Sequence, residues 1–157
     1  MKANTMPSRR SVLASLVAGL VVTAAAAEGL PVVAVNKDPN CGCCEKWAAH
    51  LREAGFTVTV ADGPVNPVKV RLGVPRDLAS CHTAQVGGYV VEGHVPADAI
   101  KRLLAERPEG IGLAVPGMPV GSPGMEVEGE ESDTYEVVLF GPAGRSTFAR
   151  YRGSKAV

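Results

Sequence analysis

The sequence contains few aromatic residues and neither an internal repeat nor a low-complexity segment. Only three Phe, three Tyr and one Trp occur among its 157 residues. Val, Leu and Ala must therefore supply most of the packing in a core. The roughly 130 residues that follow the first 27 are enough to bury one core, so we expect a single domain.

The chain also lacks an excess of positive charge. It carries 16 Lys and Arg residues and 16 Asp and Glu residues. Removal of an N-terminal leader would take away Lys2, Arg9 and Arg10, leaving 13 basic residues against 16 acidic ones. A slightly acidic mature protein gives no support for nucleic-acid binding.

The only extended apolar run lies near the N-terminus and has the features of an export signal. Residues 8–27 combine a basic start, a short hydrophobic segment and a small-residue ending. The run is too short and too rich in alanine for a stable membrane span. The pair Arg9-Arg10 fits a twin-arginine leader as well as an ordinary secretory leader. We expect residues 1–27 to be removed, and the mature protein to begin near Glu28 and work outside the cytoplasm.

The rest of the chain alternates between strand and helix patterns. Apolar periodicity and turn residues predict strands at 31–35, 56–60, 81–86, 89–92, 134–140 and 146–151, and helices at 43–54, 68–72 and 96–105. A βαβ half followed by a ββα half is the order of a thioredoxin-like fold. We therefore predict an α/β protein with a thioredoxin-like core at 28–107. A Gly/Pro-rich extension with a terminal β-hairpin, 108–157, belongs to the same compact domain.

Three of the four cysteines fall within four residues, Cys41-Gly42-Cys43-Cys44, where a predicted strand leads into a helix. The helix dipole and free backbone N–H groups lower the pKa of thiols there, so we expect at least one of them to ionise near neutral pH. Cys41 and Cys44 have the spacing of a redox pair. Cys43 would compete for that pair, whereas three adjacent sulfurs suit a soft metal.

The remaining soft donors are spread over three further places in the sequence. They are Cys81, His82, His94, Met118 and Met125. Copper(I) prefers thiolate and thioether sulfur with imidazole support. Zinc has little use for methionine, and the cysteine spacing matches an iron–sulfur cluster poorly, so copper is the preferred metal. The alternatives are a structural disulfide from the cluster to Cys81, ordinary histidines, and methionines that only anchor a loop.

Taken together, these motifs resemble the CopG-type copper-resistance proteins, exported proteins of Gram-negative bacteria long catalogued as a domain of unknown function. The resemblance covers roughly residues 32–148. Its main segments are Cys41-Gly42-Cys43-Cys44, Ser80-Cys81-His82-Thr83-Ala84, Glu92-Gly93-His94-Val95-Pro96 and Pro116-Gly117-Met118-Pro119-Val120-Gly121-Ser122-Pro123-Gly124-Met125-Glu126.

The resemblance implies a periplasmic copper protein with a thiolate-bridged, multinuclear copper site that interconverts Cu(I) and Cu(II). Carried over to this chain, it makes Cys41, Cys43 and Cys44 the redox thiols. The implied metal ligands are Cys41, Cys43, Cys44, Cys81, His94, Met118 and Met125. His82 matches a family motif as well, although Cys81 has the better claim on the site.

Three functions remain open from the sequence. The first is a copper-binding oxidoreductase of copper resistance. The second is a carrier or buffer that hands copper ions to efflux components, and the third is a thiol–disulfide oxidoreductase that needs no metal. We expect a monomer without a stable membrane span that binds copper, interacts with efflux components or a periplasmic redox partner, and does not bind nucleic acid.

Overall fold

The computed structural model describes residues 29–157, and the predicted leader, residues 1–27, lies outside the described residues. Within that range the chain forms one eight-stranded sheet, three α-helices and a short 3-10 turn at Arg76–Leu78. The strands are β1 (Val33–Lys37), β2 (Val58–Asp62), β3 (Thr83–Val86), β4 (Tyr89–Glu92), β5 (Gly112–Ala114), β6 (Thr134–Gly141), β7 (Gly144–Arg152) and β8 (Lys155–Ala156). The helices are α1 (Gly42–Glu53), α2 (Val65–Arg71) and α3 (Ala97–Glu106). The α/β class predicted from the sequence is confirmed.

The strands lie in the order β2-β1-β3-β4-β5-β6-β7-β8. Strand β1 runs parallel to β2 and antiparallel to β3, and β4 runs parallel to β5. The remaining neighbours pair antiparallel, and β3–β4 and β6–β7 form hairpins. Both hairpins agree with the sequence prediction.

Helices α1 and α3 cover one face of the sheet. Helix α1 buries its apolar stripe of Cys44, Trp47, Ala48 and Leu51, and α3 buries Ile100 and Leu103. Of these side chains, Trp47, Leu51, Ile100 and Leu103 pack with Val33, Val35, Val91 and Leu113 of the strands. The Trp47 indole N–H also donates a 2.9 Å hydrogen bond to the carbonyl of Val95. This bond ties α1 to the segment that leads into α3.

The opposite face carries a smaller apolar cluster. Val74 and Leu78, from the segment after α2, pack there with Val90, Ala114 and Phe140. Val90 precedes Val91 in β4, so the two side chains point to opposite faces of the sheet. Strand β4 is therefore buried on both sides, which matches its complete burial.

Strand β5 lies in the Gly/Pro-rich extension, ahead of the hairpin predicted there. It has only three residues, Gly112–Ala114, and it lies between β4 and β6. A Cβ added at Gly112 would clash with the Val90 carbonyl oxygen, so this pairing admits only glycine. The prediction missed β5 because glycine lowers strand propensity. Smaller shifts occur in β2, which begins at Val58, and in α2, which begins at Val65.

Two residues have clear local roles outside the strands. All peptide bonds in residues 29–157 are trans, and Pro75 directly precedes the 3-10 turn. His50 is half-buried, and its Nε2 accepts a 3.2 Å hydrogen bond from the Ala97 backbone N–H. His50 thus satisfies a free donor at the start of α3. In the described part of the chain, no helix combines the length and the apolar character that crossing a membrane requires.

Candidate metal centre

The candidate site lies where four chain segments leave the same end of the sheet. Antiparallel pairing sets Asn36 of β1 opposite Thr83 of β3, so the residues after β1 and before β3 are neighbours. Thr83 in turn faces Glu92, the last residue of β4, and Glu92 faces Ala114, the last residue of β5. The cysteine loop, residues 80–82, residues 93–94 and the extension after β5 therefore meet at one edge.

The cysteine loop is held from both sides. The Asn40 backbone N–H donates a 2.9 Å hydrogen bond to the Asp38 carboxylate, and the Cys41 N–H donates to the Asp38 carbonyl. Behind the loop, the buried Lys37 ammonium lies 3.2 Å from Glu45 of α1 and 3.0 Å from Asp62 of β2. These contacts fix Cys41 as the N-cap residue of α1.

All four cysteines converge at the start of α1. Their sulfur atoms lie within 4.8 Å of one another. Cys41 and Cys44 form a disulfide, whereas Cys43 and Cys81 are free thiols. The Cys43 sulfur lies 3.5 Å from that of Cys41 and 3.8 Å from that of Cys81, and the Cys44 and Cys81 sulfurs are 3.6 Å apart. The disulfide to Cys81 that the sequence left open is absent among these four residues, since the bond forms inside the loop.

Two histidines share Cys81 with the sulfur cluster. The Cys81 sulfur lies 3.0 Å from His94 Nε2 and 3.3 Å from His82 Nδ1. His94 Nδ1 is 2.8 Å from the Pro123 carbonyl oxygen, so it carries the proton and leaves a lone pair on Nε2. Such an outer hydrogen bond orients imidazole for metal binding. Cys81 thus belongs to both ligand groups, one of four sulfurs and one of Cys81, His82 and His94.

His82, whose role the sequence left open, lies with Cys81 and His94 in one of the two ligand groups. Its side chain is completely buried and packs 4.3 Å from the Trp47 ring and 5.0 Å from the His94 ring. In residues 29–157, His82 Nε2 is the one buried side-chain nitrogen or oxygen without a hydrogen-bond partner. The ring nitrogen beside the Cys81 sulfur is Nδ1, at 3.3 Å, so Nδ1 is the donor that a metal held by Cys81 could use. In the sequence, the signal for His82 is its adjacency to Cys81.

Burial favours the uncharged forms of Cys81, His82 and His94 in the metal-free protein. It raises the pKa of the Cys81 thiol to about 12, with a further contribution from Cys43. Burial also lowers the pKa of His94, and it lowers that of His82 further, with help from His94 and Lys69. A soft cation would meet neutral imidazoles and would displace the thiol proton as it binds.

A buried ion pair supports the Cys81–His82 segment from below. Lys69 Nζ lies 2.5 Å from Glu92 Oε1, and both side chains are buried. The same carboxylate accepts a 2.6 Å hydrogen bond from the Ser80 backbone N–H and a 2.7 Å bond from the Thr83 hydroxyl. Glu92 therefore binds Ser80 and Thr83, the residues on either side of Cys81 and His82. It also lies two positions before His94 in the chain.

The extension closes over the site from the side of α1. Its turn at 121–125 is held by the Gly121 N–H donating to the Met125 carbonyl and the Met125 N–H donating to the Ser122 carbonyl. A Cβ at Gly124 would come within 2.7 Å of the Cys43 carbonyl oxygen and 2.8 Å of the Trp47 nitrogen, so the turn packs directly on α1. This contact places half-buried Met125 beside the first turn of the helix.

Met118 occupies a different position from Met125. It follows Gly117, whose carbonyl accepts a hydrogen bond from the Ser80 hydroxyl, next to Cys81. Its side chain remains 52% exposed. The structure therefore brings the cysteines and histidines together in the buried part of the site and places Met118 at its solvent-exposed rim.

The donor set fits a soft metal ion. With metal–sulfur bonds of about 2.3 Å, two sulfurs bound to one tetrahedral ion lie about 3.8 Å apart. The observed separation of 3.8 Å between Cys43 and Cys81 has this size. Thiolate and imidazole together suit copper, and carboxylates, which harder ions require, are absent from both ligand groups described.

Comparisons with known proteins agree with the composition of the site. A family described as "Protein of unknown function, DUF411" matches residues 78–125, which include Cys81, both histidines and both methionines. Two solved structures, described as copper resistance protein CopG form 1 and form 2, are each 49% identical to the chain. Form 1 has a TM-score of 0.73, and the match covers 80% of this chain and all of that one. Form 2 has a TM-score of 0.74, with 79% and 99% covered. No curated protein matches.

Proposed function

Because the chain belongs to the CopG-type family of copper resistance proteins, we propose that it binds copper at the four-cysteine cluster and interconverts Cu(I) and Cu(II) there. Copper is the substrate of this activity. Cys41, Cys43, Cys44 and Cys81 supply sulfur, and His82 and His94 supply imidazole nitrogen. Met125 and the exposed Met118 add thioether donors from the extension.

One observation carries the proposal: the Cys81 sulfur lies within reach of both ligand groups. It is 3.8 Å from Cys43, 3.0 Å from His94 and 3.3 Å from His82. A thiolate in this position can bridge two copper ions, one among the sulfurs and one beside the imidazoles. Thiolate with imidazole tolerates both oxidation states of copper, which interconversion requires. This arrangement supports a multinuclear, thiolate-bridged site.

We further propose that the protein works in the periplasm on a thioredoxin-like framework. The leader-like residues 8–27 support export. The order β1-α1-β2 followed by β3-β4-α3, with the cysteine motif at the start of α1, supports the thioredoxin-like assignment. Strands β5 to β8 extend the same sheet, and the turn at 121–125, between β5 and β6, packs on α1.

Anaerobic titration of the reduced mature protein with Cu(I) tests the proposal. We expect more than one copper per chain, and a reversible change in absorbance when the loaded protein is oxidised and reduced. Copper bound without a redox change would instead support a carrier that serves efflux components. Absence of copper binding would contradict both of these functions.

The Cys41–Cys44 disulfide favours one other candidate, a thiol–disulfide oxidoreductase without metal. Replacement of Cys43 by Ser separates the two functions. An exchanger that uses Cys41 and Cys44 would retain its activity, whereas the copper site would lose one of its two free thiols and bind copper more weakly.

A further inference from the structure

The four cysteines of the cluster are chemically unequal. Cys41 and Cys44 are joined to each other, and Cys43 and Cys81 remain thiols although all four sulfurs lie within 4.8 Å. The free sulfur of Cys81 is also the one in contact with the imidazoles, 3.0 Å from His94 and 3.3 Å from His82. The pairing therefore leaves a complete set of sulfur and nitrogen donors available.

We propose that Cys41 and Cys44 are the electron source for copper reduction, while Cys43, Cys81 and His94 hold the Cu(I) that forms. This inference rests on the proposed function and specifies how electrons reach copper. The reduced cysteine pair gives one electron to each of two Cu(II) ions. The two S–H bonds break, the Cys41–Cys44 disulfide forms, and the products are two Cu(I) ions and two protons. Cu(II) is the only oxidant required, and a dithiol reductant would regenerate the pair.

The geometry favours this division over any pairing that involves Cys81. The Cys44 sulfur is 3.6 Å and the Cys43 sulfur 3.8 Å from that of Cys81, so either could pair with it. Each of those disulfides would consume the one sulfur that contacts the imidazoles. The Cys41–Cys44 bond removes two electrons and leaves Cys81 with both histidines and with Cys43. The product Cu(I) then finds thiolate and imidazole donors, which it prefers.

Solvent reaches the proposed electron source through Cys41. Cys41 is half-buried at the start of α1, and exposed Gly42 follows it, so Cu(II) can approach this sulfur from solvent. Its partner Cys44 is completely buried, so Cys41 is the member of the pair that meets Cu(II). Cys43 and Cys81 are half-buried as well, and His94 is completely buried.

A single-turnover experiment tests this inference. Fully reduced protein is mixed anaerobically with increasing Cu(II), the Cu(II) that remains is measured by electron paramagnetic resonance, and Cu(I) is measured with a colorimetric Cu(I) chelator. Free thiols are then alkylated and located by peptide mass mapping. We expect two Cu(I) and the loss of two thiols per chain, with Cys41 and Cys44 joined and Cys43 and Cys81 alkylated.

Cys41→Ser provides the decisive variant, because its position at the helix start is half-exposed, whereas serine in place of the buried Cys44 would bring a hydroxyl into the core. We expect Cys41→Ser to lose the two-electron reduction, and its circular dichroism to show whether it folds. Cys43→Ser should shift Cu(I) from the protein to the chelator. Ala143→Ser, in the turn between β6 and β7, is the matched control and should behave as the parent protein.

The results separate failure of this inference from failure of the proposed function. A disulfide that includes Cys43 or Cys81, or Cu(II) that binds with all four thiols intact, would overturn the electron-source assignment and leave copper binding in place. Two-electron reduction at the parent rate in folded Cys41→Ser would overturn it as well. No binding of copper in either oxidation state would reject the proposed function itself.

Discussion

The buried Glu92–Lys69 pair offers the sharpest test of how the site is supported. Glu92→Gln leaves the Lys69 ammonium buried without a counter-charge. The amide oxygen can still accept the hydrogen bond from the Ser80 backbone N–H, but the amide NH2 group cannot accept the one that the Thr83 hydroxyl donates to the second carboxylate oxygen. Breaking a buried pair in this way costs about 3–5 kcal/mol. Domains of this kind have free energies of unfolding of about 5–15 kcal/mol, so the change is large. Urea denaturation of the reduced, metal-free protein measures it.

A double-mutant cycle provides the control. Lys69→Met alone leaves the Glu92 carboxylate buried, and we expect a loss of similar size. Lys69→Met combined with Glu92→Gln removes both charges, and it should recover most of the stability that either single change loses. The reasoning would be refuted if each single variant lost less than about 1 kcal/mol, the range of exposed ion pairs.

The cycle also has a readout beyond stability. The carboxylate holds the Ser80 N–H at 2.6 Å and the Thr83 hydroxyl at 2.7 Å, on either side of the Cys81–His82 segment. If it positions these ligands, folded Glu92→Gln protein should bind copper about 10- to 100-fold more weakly, as is typical for partners that orient metal ligands. Competition with a Cu(I) chelator measures this affinity at a temperature where the variant is folded.

Three further predictions concern the contacts of the site and its supporting helices. Gly124→Ala should destabilise the protein by about 1–3 kcal/mol more than Gly129→Ala. Both positions have positive φ, but only a Cβ at position 124 would meet the backbone of Cys43 and Trp47. Equal losses of stability in thermal denaturation at matched pH would contradict the packing of the turn on α1. Burial lowers the pKa of His50, so its contribution to stability is complete above the unfolded pKa of about 6.5 and is lost as pH falls through the lower folded value. His50→Gln keeps an acceptor without titrating, and it should lose less stability than the parent between pH 7 and pH 5; an unchanged pH dependence would be evidence against the burial argument. In the metal-free protein, His82→Leu should change the free energy of unfolding by less than about 1 kcal/mol or raise it, since it removes an unpartnered nitrogen. Copper affinity, measured by competition with a chelator, should nevertheless fall about tenfold or more. Unchanged affinity would remove His82 from the ligand set.

Local patterns predicted the elements whose signals lie within a few residues. The spacing of Cys44, Trp47, Ala48 and Leu51 predicts α1, and the structure buries these four side chains. Pro96 predicts the start of α3, and the helix begins at the next residue. Both hairpins followed from apolar runs around Gly-containing turns. Such signals depend on side-chain periodicity and turn chemistry, which need no distant partner.

Those local patterns could not predict strand β5 or the contacts of Glu92 with Lys69, Ser80 and Thr83. Residues 112–114 form a strand only because β4 and β6 supply hydrogen bonds on both sides, and a three-residue segment has too little pattern of its own. In the sequence, Glu92 is a polar residue at the end of a predicted strand, and nothing near it in the chain predicts a buried charge. Its partner Lys69 lies 23 positions away on α2, so the buried pair exists only in the folded chain.

The sequence by itself determined that sulfur chemistry sits at a strand-to-helix junction, because Cys41, Cys43 and Cys44 are neighbours in the chain and α1 begins among them. It also determined the donor types, and with them the preference for a soft metal. Only the tertiary structure decided that Cys81 and both histidines join this loop, through the pairing of β1 with β3 and of β3 with β4. It also decided which two thiols pair. The choice of disulfide and the convergence of the ligands depend on distances between segments remote in sequence. Examples are the 3.8 Å between the Cys43 and Cys81 sulfurs and the 3.0 Å between the Cys81 sulfur and His94 Nε2. Strand register and burial set those distances.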